Sequence, residues 1–504
     1  MAEVLFVNPD SSIAAYQDLA KTYSAIEPPT WALLLAEAVR KNGHDPEILD
    51  CDAERLTLDQ SLARIDNSSA KLVVFVLYGQ NPNSGTTSMI GAVKLATAAK
   101  NAGITTPVCF CGSHTQALPG EVLALDCVDF VLLNEGVYAL NNLLSSNLCS
   151  DLQSIKGIGH KVDGKVVMNQ PEIVVPQDRL DEDMPGYAWD LLPYKSVPLD
   201  LYRSHFWHAG FDHKKRTPFA AIYTSLGCQF ACNFCMINIL NRVDNGIWVD
   251  ASHSRGMRYW SPEWVKREMK KLADLGVKTL RISDEMFFLN RKYYNPILEN
   301  CVREDFGFNM WTYSRVDSVR PKALELFKKA GVNWLALGVE AGNQIVRQEV
   351  SKGSFKEVNI REICDEITKS GIYTINNYIF GFPEDNYETM QQTLDLAIEL
   401  NSEMANMYPC QALPGSPLYN EAKVNGWELP DRYEEFAFLS YECKPLQTKH
   451  LSAEQVVSFR DKAWNTYFSN PVYLDLVEQK FGVIERRNVE EMAKIKLKRK
   501  ILGD

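Results

Sequence analysis

Twice along its length this sequence sets short apolar runs between amphipathic helical stretches, and that alternation leaves few folds open to it. In the first run, apolar segments at 4–7, 47–49, 72–77, 108–111 and 130–133 alternate with helical patterns such as 29–41 and 88–102. Strands that return through helices of this length run parallel, so the spacing predicts an α/β fold that opens on a doubly wound parallel sheet. Ligands of such sheets sit outside the carboxyl ends of the strands. Here those ends carry Asn8-Pro9-Asp10, Tyr78-Gly79-Gln80-Asn81, Gly112-Ser113-His114-Thr115 and Asn134-Glu135-Gly136. No G-x-G-x-x-G opens the first helix, so a dinucleotide site is not expected.

The second run begins at Pro218, with strand patterns at 220–225, 279–282, 309–313, 334–338 and 374–380 and helices at 262–275, 291–302, 321–330, 359–370 and 386–400. Successive β-α units of this kind predict a full or partial parallel barrel, again with its chemistry at the carboxyl ends. At 504 residues the chain exceeds what one core usually supports. The pattern divides it into the first sheet (1–150), a turn-rich linker (151–215), the barrel (216–425) and a helical C-terminal region (426–504), where 452–468 is the clearest helix. Trp189, Tyr194, Tyr202 and Trp207 imply that the linker packs on something, Trp207-His208 between linker and barrel. The basic tail from Lys494 to Lys500 reads as the solvated end of a helix.

A net charge of −11 gives no broad attraction to phosphate backbones, so nucleic acid is not an expected partner. Twelve cysteines in a chain that opens directly into a strand pattern point to the reducing cytoplasm and not to a disulfide framework. The longest apolar runs, such as 31–36, fall far short of the ~20 residues that cross a bilayer, so no integral membrane segment is expected.

Three of the cysteines share one stretch, Thr224-Ser225-Leu226-Gly227-Cys228-Gln229-Phe230-Ala231-Cys232-Asn233-Phe234-Cys235. Thiolates spaced C-x3-C-x2-C on one loop can hold three irons of a 4Fe-4S cluster and leave the fourth without a protein ligand, open to chemistry. The alternative is a structural zinc knuckle, which wants four closed ligands; His208, His213 and His253 lack a recognisable ligand spacing.

The loop follows a strand and a glycine, and its spacing and its aromatic Phe234 match the radical S-adenosylmethionine signature, so the chain resembles that superfamily. Gly338-Val339-Glu340-Ala341-Gly342 looks like the strand-end motif that contacts the methionine and ribose of the cofactor. Asn377-Tyr378-Ile379-Phe380-Gly381-Phe382-Pro383-Glu384 resembles the G-x-I-x-G-x-x-E motif beside the adenine, with Asn377 in place of the first glycine. Ser314-Arg315-Val316-Asp317 and Ala412-Leu413-Pro414-Gly415-Ser416-Pro417-Leu418-Tyr419 stand where such proteins carry similar segments. The N-terminal sheet resembles the Rossmann-like cobalamin-binding module of one branch, through Gly112-Ser113-His114-Thr115, Leu118-Pro119-Gly120-Glu121-Val122-Leu123 and Val128-Asp129-Phe130-Val131-Leu132-Leu133-Asn134-Glu135-Gly136. With Trp189-Asp190-Leu191-Leu192-Pro193, the resemblance covers most of residues 1 to 425. The D-x-H-x-x-G sequence that supplies a histidine below cobalt elsewhere is absent. His114 lies at the fourth strand's end, where a backbone or tail contact is more natural than cobalt ligation.

The resemblance implies a metal site at Cys228, Cys232 and Cys235, with S-adenosylmethionine contacts at Phe234, Ser314, Arg315, Glu340, Asn377, Gly381 and Glu384. It implies cobalamin contacts at Gln80, Asn81, Gly112, Ser113, His114, Asn134, Glu135 and Gly136. The implied activity is cobalamin-dependent radical methylation of an unactivated carbon of a small molecule, through a 5′-deoxyadenosyl radical and methylcobalamin, with a low-potential donor such as flavodoxin or ferredoxin. The branch also holds cyclases and oxidases, including enzymes of tetrapyrroles, and the sequence does not separate them. No catalytic acid or base is singled out.

Asp284-Glu285 falls at a strand end, where a cofactor or substrate contact competes with a cap or an ion pair, and Arg315 is open between a carboxylate ligand and a structural pair. Cys410 reads as a core cysteine rather than a radical partner. A tRNA methylthiolating enzyme would need three further cysteines that Cys51, Cys109, Cys111 and Cys127 do not pattern, and a C-terminal β-barrel where this chain reads as helix. A non-catalytic sensor would not need Phe234, Glu340, Gly381 and Glu384 in place. The substrate is not legible.

Overall fold

The computed structural model describes residues 3–79, 82–148, 151–241, 250–254, 256–351 and 353–504. β1 (Val4–Asn8), β2 (Pro46–Asp50), β3 (Leu72–Leu77), β4 (Val108–Gly112) and β5 (Phe130–Leu132) pair in parallel, in the order β2-β1-β3-β4-β5. The inner strands are apolar at nearly every position because helices cover both faces. Val4, Phe6 and Val74 share one core with the helix Thr30–Lys41, while Leu5, Val7 and Phe75 share another with Met89, Ala92 and Leu95 of the helix Gly85–Asn101. The strand order reverses between β1 and β3, which places the crevice above their carboxyl ends.

This sheet does not stop at residue 150. An antiparallel hairpin, β6 (Ile158–Val162) and β7 (Lys165–Met168), joins the edge of β5, so part of the expected linker belongs to the first sheet. Asp163-Gly164, both at positive φ, makes the tight turn that such a hairpin needs.

β8 (Phe219–Ile222) starts the second sheet, and an antiparallel pair, β9 (Ser225–Gly227) and β10 (Met257–Tyr259), flanks the cysteine loop. β11 (Thr279–Ile282), β12 (Asn309–Arg315), β13 (Val332–Glu340), β14 (Tyr373–Phe380) and β15 (Met404–Pro409) follow, each parallel to the one before, with β11 beside β8. Six strands make a partial barrel. Its outer helices begin on side-chain caps, including Ser261 to Trp264 N–H, Asn359 to Glu362 N–H and the Asn386/Thr389 capping box.

The barrel is plugged at the amino ends of its strands and hollow above. Trp207, from the segment between the sheets, packs on Trp311 and Trp334 with ring centroids 5.2 Å away in each case, and Phe481 lies parallel to Trp334 at 5.9 Å. His208 and Asn309 exchange two hydrogen bonds, 2.8 and 2.9 Å, that fix this plug. Nearer the carboxyl ends, the inward side chains of Tyr313, Glu340, Asn377, Ile379, Asn406 and Tyr408 stay half-buried, so side chains do not fill the space between them.

The C-terminal region is helical over Ala453–Phe468, Pro471–Phe481 and Val483–Ala493. The basic tail is not a solvated helix. It runs as an irregular strap in which Arg499 is wholly buried, bidentate to Asp461 at 2.8 and 2.9 Å and donating to the carbonyls of Phe438 and Ser440. Gln17 of the first sheet's leading loop ties the strap by donating to Lys498 O and accepting from Lys498 N–H. Among the described residues no helix is long and apolar enough to cross a membrane.

Candidate functional site

The site begins where β9 ends. Asp284, buried at the carboxyl end of β11, accepts from Thr224 N–H, Thr224 Oγ1 and Ser225 Oγ, each at 2.6 Å, and so fixes the residues that lead into the cysteine loop. Asn238 closes the loop from the other side: its Oδ1 accepts from Cys228 N–H at 2.8 Å and its Nδ2 donates to Cys228 O at 2.7 Å. Cys228, Cys232 and Cys235 are half-buried, and burial pushes the Cys228 thiol up to about 12 and Cys232 up to about 11. A bound cation would hold such thiols as thiolates. Among the described residues no three His, Cys, Asp or Glu side chains gather closely enough to share a single ion.

The residues expected around this loop divide into spent and unspent groups. The Phe234 ring packs on Phe382 at 5.4 Å, which leaves its backbone as the part free to meet a ligand. Ser314 Oγ turns back to the carbonyl of Arg315. Arg315 resolves to a structural ion pair: it holds Asp317 at 2.6 and 2.9 Å, donates to Ser354 and stacks its guanidinium 3.8 Å above the Phe230 ring. Gly381 sits at φ +89°, and a Cβ there would strike Val456 at 2.4 Å, which is reason enough for glycine. Glu384 pairs with Lys449 at the surface side. Asn377 donates to Leu337 O and Ile375 O and accepts from Asn406 Nδ2 at 2.9 Å.

Two carboxylates are unspent. Glu340 ends β13 at φ +67°, a position few side chains adopt, and burial lifts its carboxyl to about 7 against the pull of Arg315. Glu285 Oε1 is buried with no partner, and burial lifts that carboxyl to about 8. Both fit the ammonium and hydroxyl donors of S-adenosylmethionine. Glu285 stood only as one option at its strand end in the sequence; Asn238 and Asn83 gave no signal at all, being isolated asparagines outside any pattern.

Across from the loop stand the strand ends of the first sheet. Asn83 Oδ1 accepts from Met236 N–H at 3.1 Å and its Nδ2 approaches Cys235 Sγ at 3.9 Å. Trp31 and Tyr78 stack at 4.5 Å and line a recess together with Tyr223, Leu226, Arg258 and Glu285. Gln80 and Asn81 lie outside the described residues. Gly112, at φ +130°, is pressed to Leu77, where a Cβ would meet the carbonyl at 2.1 Å, and Gly136 at φ +78° opens the helix Val137–Ser145. The side chains of Ser113, His114, Asn134 and Glu135 are already engaged. Ser113 donates to Pro82 O, His114 Nδ1 meets Thr86 Oγ1 at 3.0 Å, Asn134 Nδ2 donates to Glu172 O, and Glu135 is locked to Arg258 at 2.7 Å across the two domains. Burial pushes the His114 imidazole down to about 4. What these positions offer a corrin is backbone, together with the buried, unpartnered hydroxyl of Thr115.

Comparison with known proteins covers both halves of this site. The family model of the Radical SAM superfamily matches residues 222–397 and that of the B12 binding domain matches residues 16–144. An uncharacterised methyltransferase of Pyrococcus horikoshii is 25% identical over 96% of this chain and 96% of its own length. The anaerobic magnesium-protoporphyrin IX monomethyl ester cyclase of Rubrivivax gelatinosus is 26% identical over 87% of this chain and 72% of its own. Among solved structures, the radical S-adenosylmethionine methyltransferase TsrM of Kitasatospora setae, with cobalamin and 4Fe-4S cluster bound, superposes with a TM-score of 0.69 at 16% identity, covering 98% of this chain and 100% of that one. The two matched domains, in this order on one continuous fold, place the chain in the cobalamin-binding radical S-adenosylmethionine family, whose members work with a 4Fe-4S cluster, S-adenosylmethionine and cobalamin.

Proposed function

We propose that this protein is a radical methyltransferase that places a methyl group on an unactivated carbon of a small molecule. The observation that carries the reading is the joint at Asn83: a loop of the cobalamin-type sheet touches the loop that holds the cluster cysteines, so a methyl carrier and a radical source would face one space. The methyltransferase-named relative, similar over nearly its full length, supports it. The cofactors supply reductive cleavage of S-adenosylmethionine and a transferable methyl group, chemistry that side chains lack.

The chain's own residues prepare that space. Asp284 and Asn238 hold the cysteine loop in register, and Glu285 offers a carboxylate to the cofactor's ammonium. Backbone at Phe234 and Gly381 would border the adenine, and backbone at Gly112 and Gly136 would border the corrin. The plug of Trp207, Trp311 and Trp334 keeps water from entering below. A low-potential flavodoxin or ferredoxin of the cytoplasm would supply electrons.

The test is anaerobic: reconstitute the protein with iron, sulfide and hydroxocobalamin, reduce it so that cob(I)alamin can accept a methyl group, add S-adenosylmethionine, and quantify 5′-deoxyadenosine and S-adenosylhomocysteine against Cys232→Ala. Both products, lost in the variant, support the reading. Deoxyadenosine alone from cobalamin-loaded protein replaces it with a cyclase-type reaction, to which the Rubrivivax relative points. Neither product from a correctly loaded cluster returns the sensor.

A further inference from the structure

The hollow upper half of the barrel carries a second set of unspent polar groups, on its last strand. β15 is the last strand of the partial barrel, and Asn406 and Tyr408 are its inward positions, opposite Asn377 and Ile379 of β14. Asn377 is saturated: both of its amide protons go to main-chain carbonyls, and its oxygen accepts from Asn406. Asn406 is thereby locked in orientation with its own oxygen and second N–H unpaired by any described residue, half-buried toward the hollow. Gly338 is the partner of Asn377 on the other side, and the Glu340 carboxylate lies over it, 2.5 Å from where a Cβ would stand.

Tyr408 stands two residues on, its ring 5.1 Å from Phe438 of the C-terminal region. Tyr16 of the first sheet, Tyr313 and Glu340 are in electrostatic reach of the Tyr408 hydroxyl, and burial keeps the Tyr16 and Tyr408 phenols protonated as donors. The neighbouring guanidiniums are each engaged by a carboxylate. Arg281 pairs with Glu27 at 2.6 Å, Arg315 with Asp317, and Arg460 and Arg499 both with Asp461. An anionic group brought here would find no unengaged guanidinium among the described residues, while a neutral group would find a donor and an acceptor side by side on Asn406.

We propose that Asn406, seconded by Tyr408, is a specificity-determining residue, and that the methyl acceptor is an uncharged small molecule bearing an amide or hydroxyl group that pairs with this carboxamide. The inference rests on the methyltransferase reading above. A site built to pair a polar group rejects analogues that leave it unpaired, because the buried partner then goes unsatisfied.

The experiment uses the holoenzyme and a metabolite extract of cells that carry the gene, divided at pH 7.5 into anion-exchanger-retained, cation-exchanger-retained and unretained fractions. Substrate-dependent S-adenosylhomocysteine is expected with the unretained fraction. Its appearance with a retained fraction instead overturns the inference while leaving methyl transfer standing. No S-adenosylhomocysteine with any fraction overturns the methyltransferase reading and the inference with it. Asn406→Leu should then raise the half-saturating amount of the unretained fraction about tenfold, the worth of one buried hydrogen bond, with maximal rate within about twofold. Bound cobalamin per chain and S-adenosylmethionine affinity serve as the check on folding and on the alternative that Asn406 serves a cofactor; a fall in either overturns the proposal. Should Asn406→Leu fail to fold, Tyr408→Phe, which keeps the ring on Phe438, should raise the half-saturating amount about threefold, and no change overturns it.

Discussion

Asp284 holds Thr224 twice, by its N–H and by its hydroxyl, each at 2.6 Å, so the cysteine loop departs from a fixed point on the next barrel strand. Asp284→Ala leaves these buried donors unpaired. It should cost about 3 kcal/mol and lower the iron bound per chain after anaerobic reconstitution, and Asp284→Asn should recover part of both. Full iron with an unchanged Tm in Asp284→Ala would remove Asp284 from this role.

Buried ion pairs tie the N-terminal domain to the barrel domain, Glu135 to Arg258 of β10 and Glu27 to Arg281 of β11, the latter with its guanidinium 4.7 Å above Trp311. Removing one partner strands a buried charge, so Arg281→Met should destabilise the protein by about 3–5 kcal/mol in thermal or denaturant unfolding. Adding Glu27→Gln removes the stranded partner, and the double variant should be less destabilised than the sum of the singles. Additive losses would show that the pair does not couple the domains.

Glu285 gives a pH signature. Burial raises its folded carboxyl from 4.5 to about 8. The folded state therefore holds a proton that the unfolded chain has released, and the resulting loss of stability is absent below pH 4.5, grows through the interval and is complete above about pH 8. Glu285→Gln in cofactor-free protein should match the parent near pH 5 and melt higher than it at pH 9. A Tm difference that is flat across this window would contradict the burial.

Arg499 anchors the C-terminal strap from within. Arg499→Met should leave Asp461 with one fewer partner, lower the Tm and open the last residues to limited proteolysis. Lys496→Met, at an exposed position of the same strap, should do neither. Identical cleavage patterns for the two variants would refute the anchor.

The strands and helices were readable because their burial is local: an apolar run such as Leu72–Leu77 has to be covered on both faces, and Ser452 with Gln455 announces its helix three residues ahead. The cysteine loop was readable for the same reason, its ligands being neighbours in the chain. The hairpin β6–β7 was hidden by its short, partly polar strands, although Asp163-Gly164 marked its turn. What supports the loop was not readable. Asn83 acts on it from a distant segment, Asn238 follows it outside any pattern, and Asp284, though placed at a strand end, could not be told from a capping residue. Arg499 misled because a basic run ordinarily seeks water, and only the distant Asp461 makes its burial affordable. Ser113, His114, Asn134 and Glu135 occupy the strand ends where a ligand is expected, yet their side chains answer to neighbours no linear pattern displays.

The aromatic plug has a consequence for biosynthesis. Trp207 is made before the barrel, Trp311 and Trp334 with it, and Phe481 only after the last barrel strand. A ribosome-bound chain that has completed every barrel strand still lacks its last floor tile. Until that helix leaves the exit tunnel, a broad indole surface stands bare, a natural foothold for chaperones and a place where prematurely terminated chains would adhere to one another.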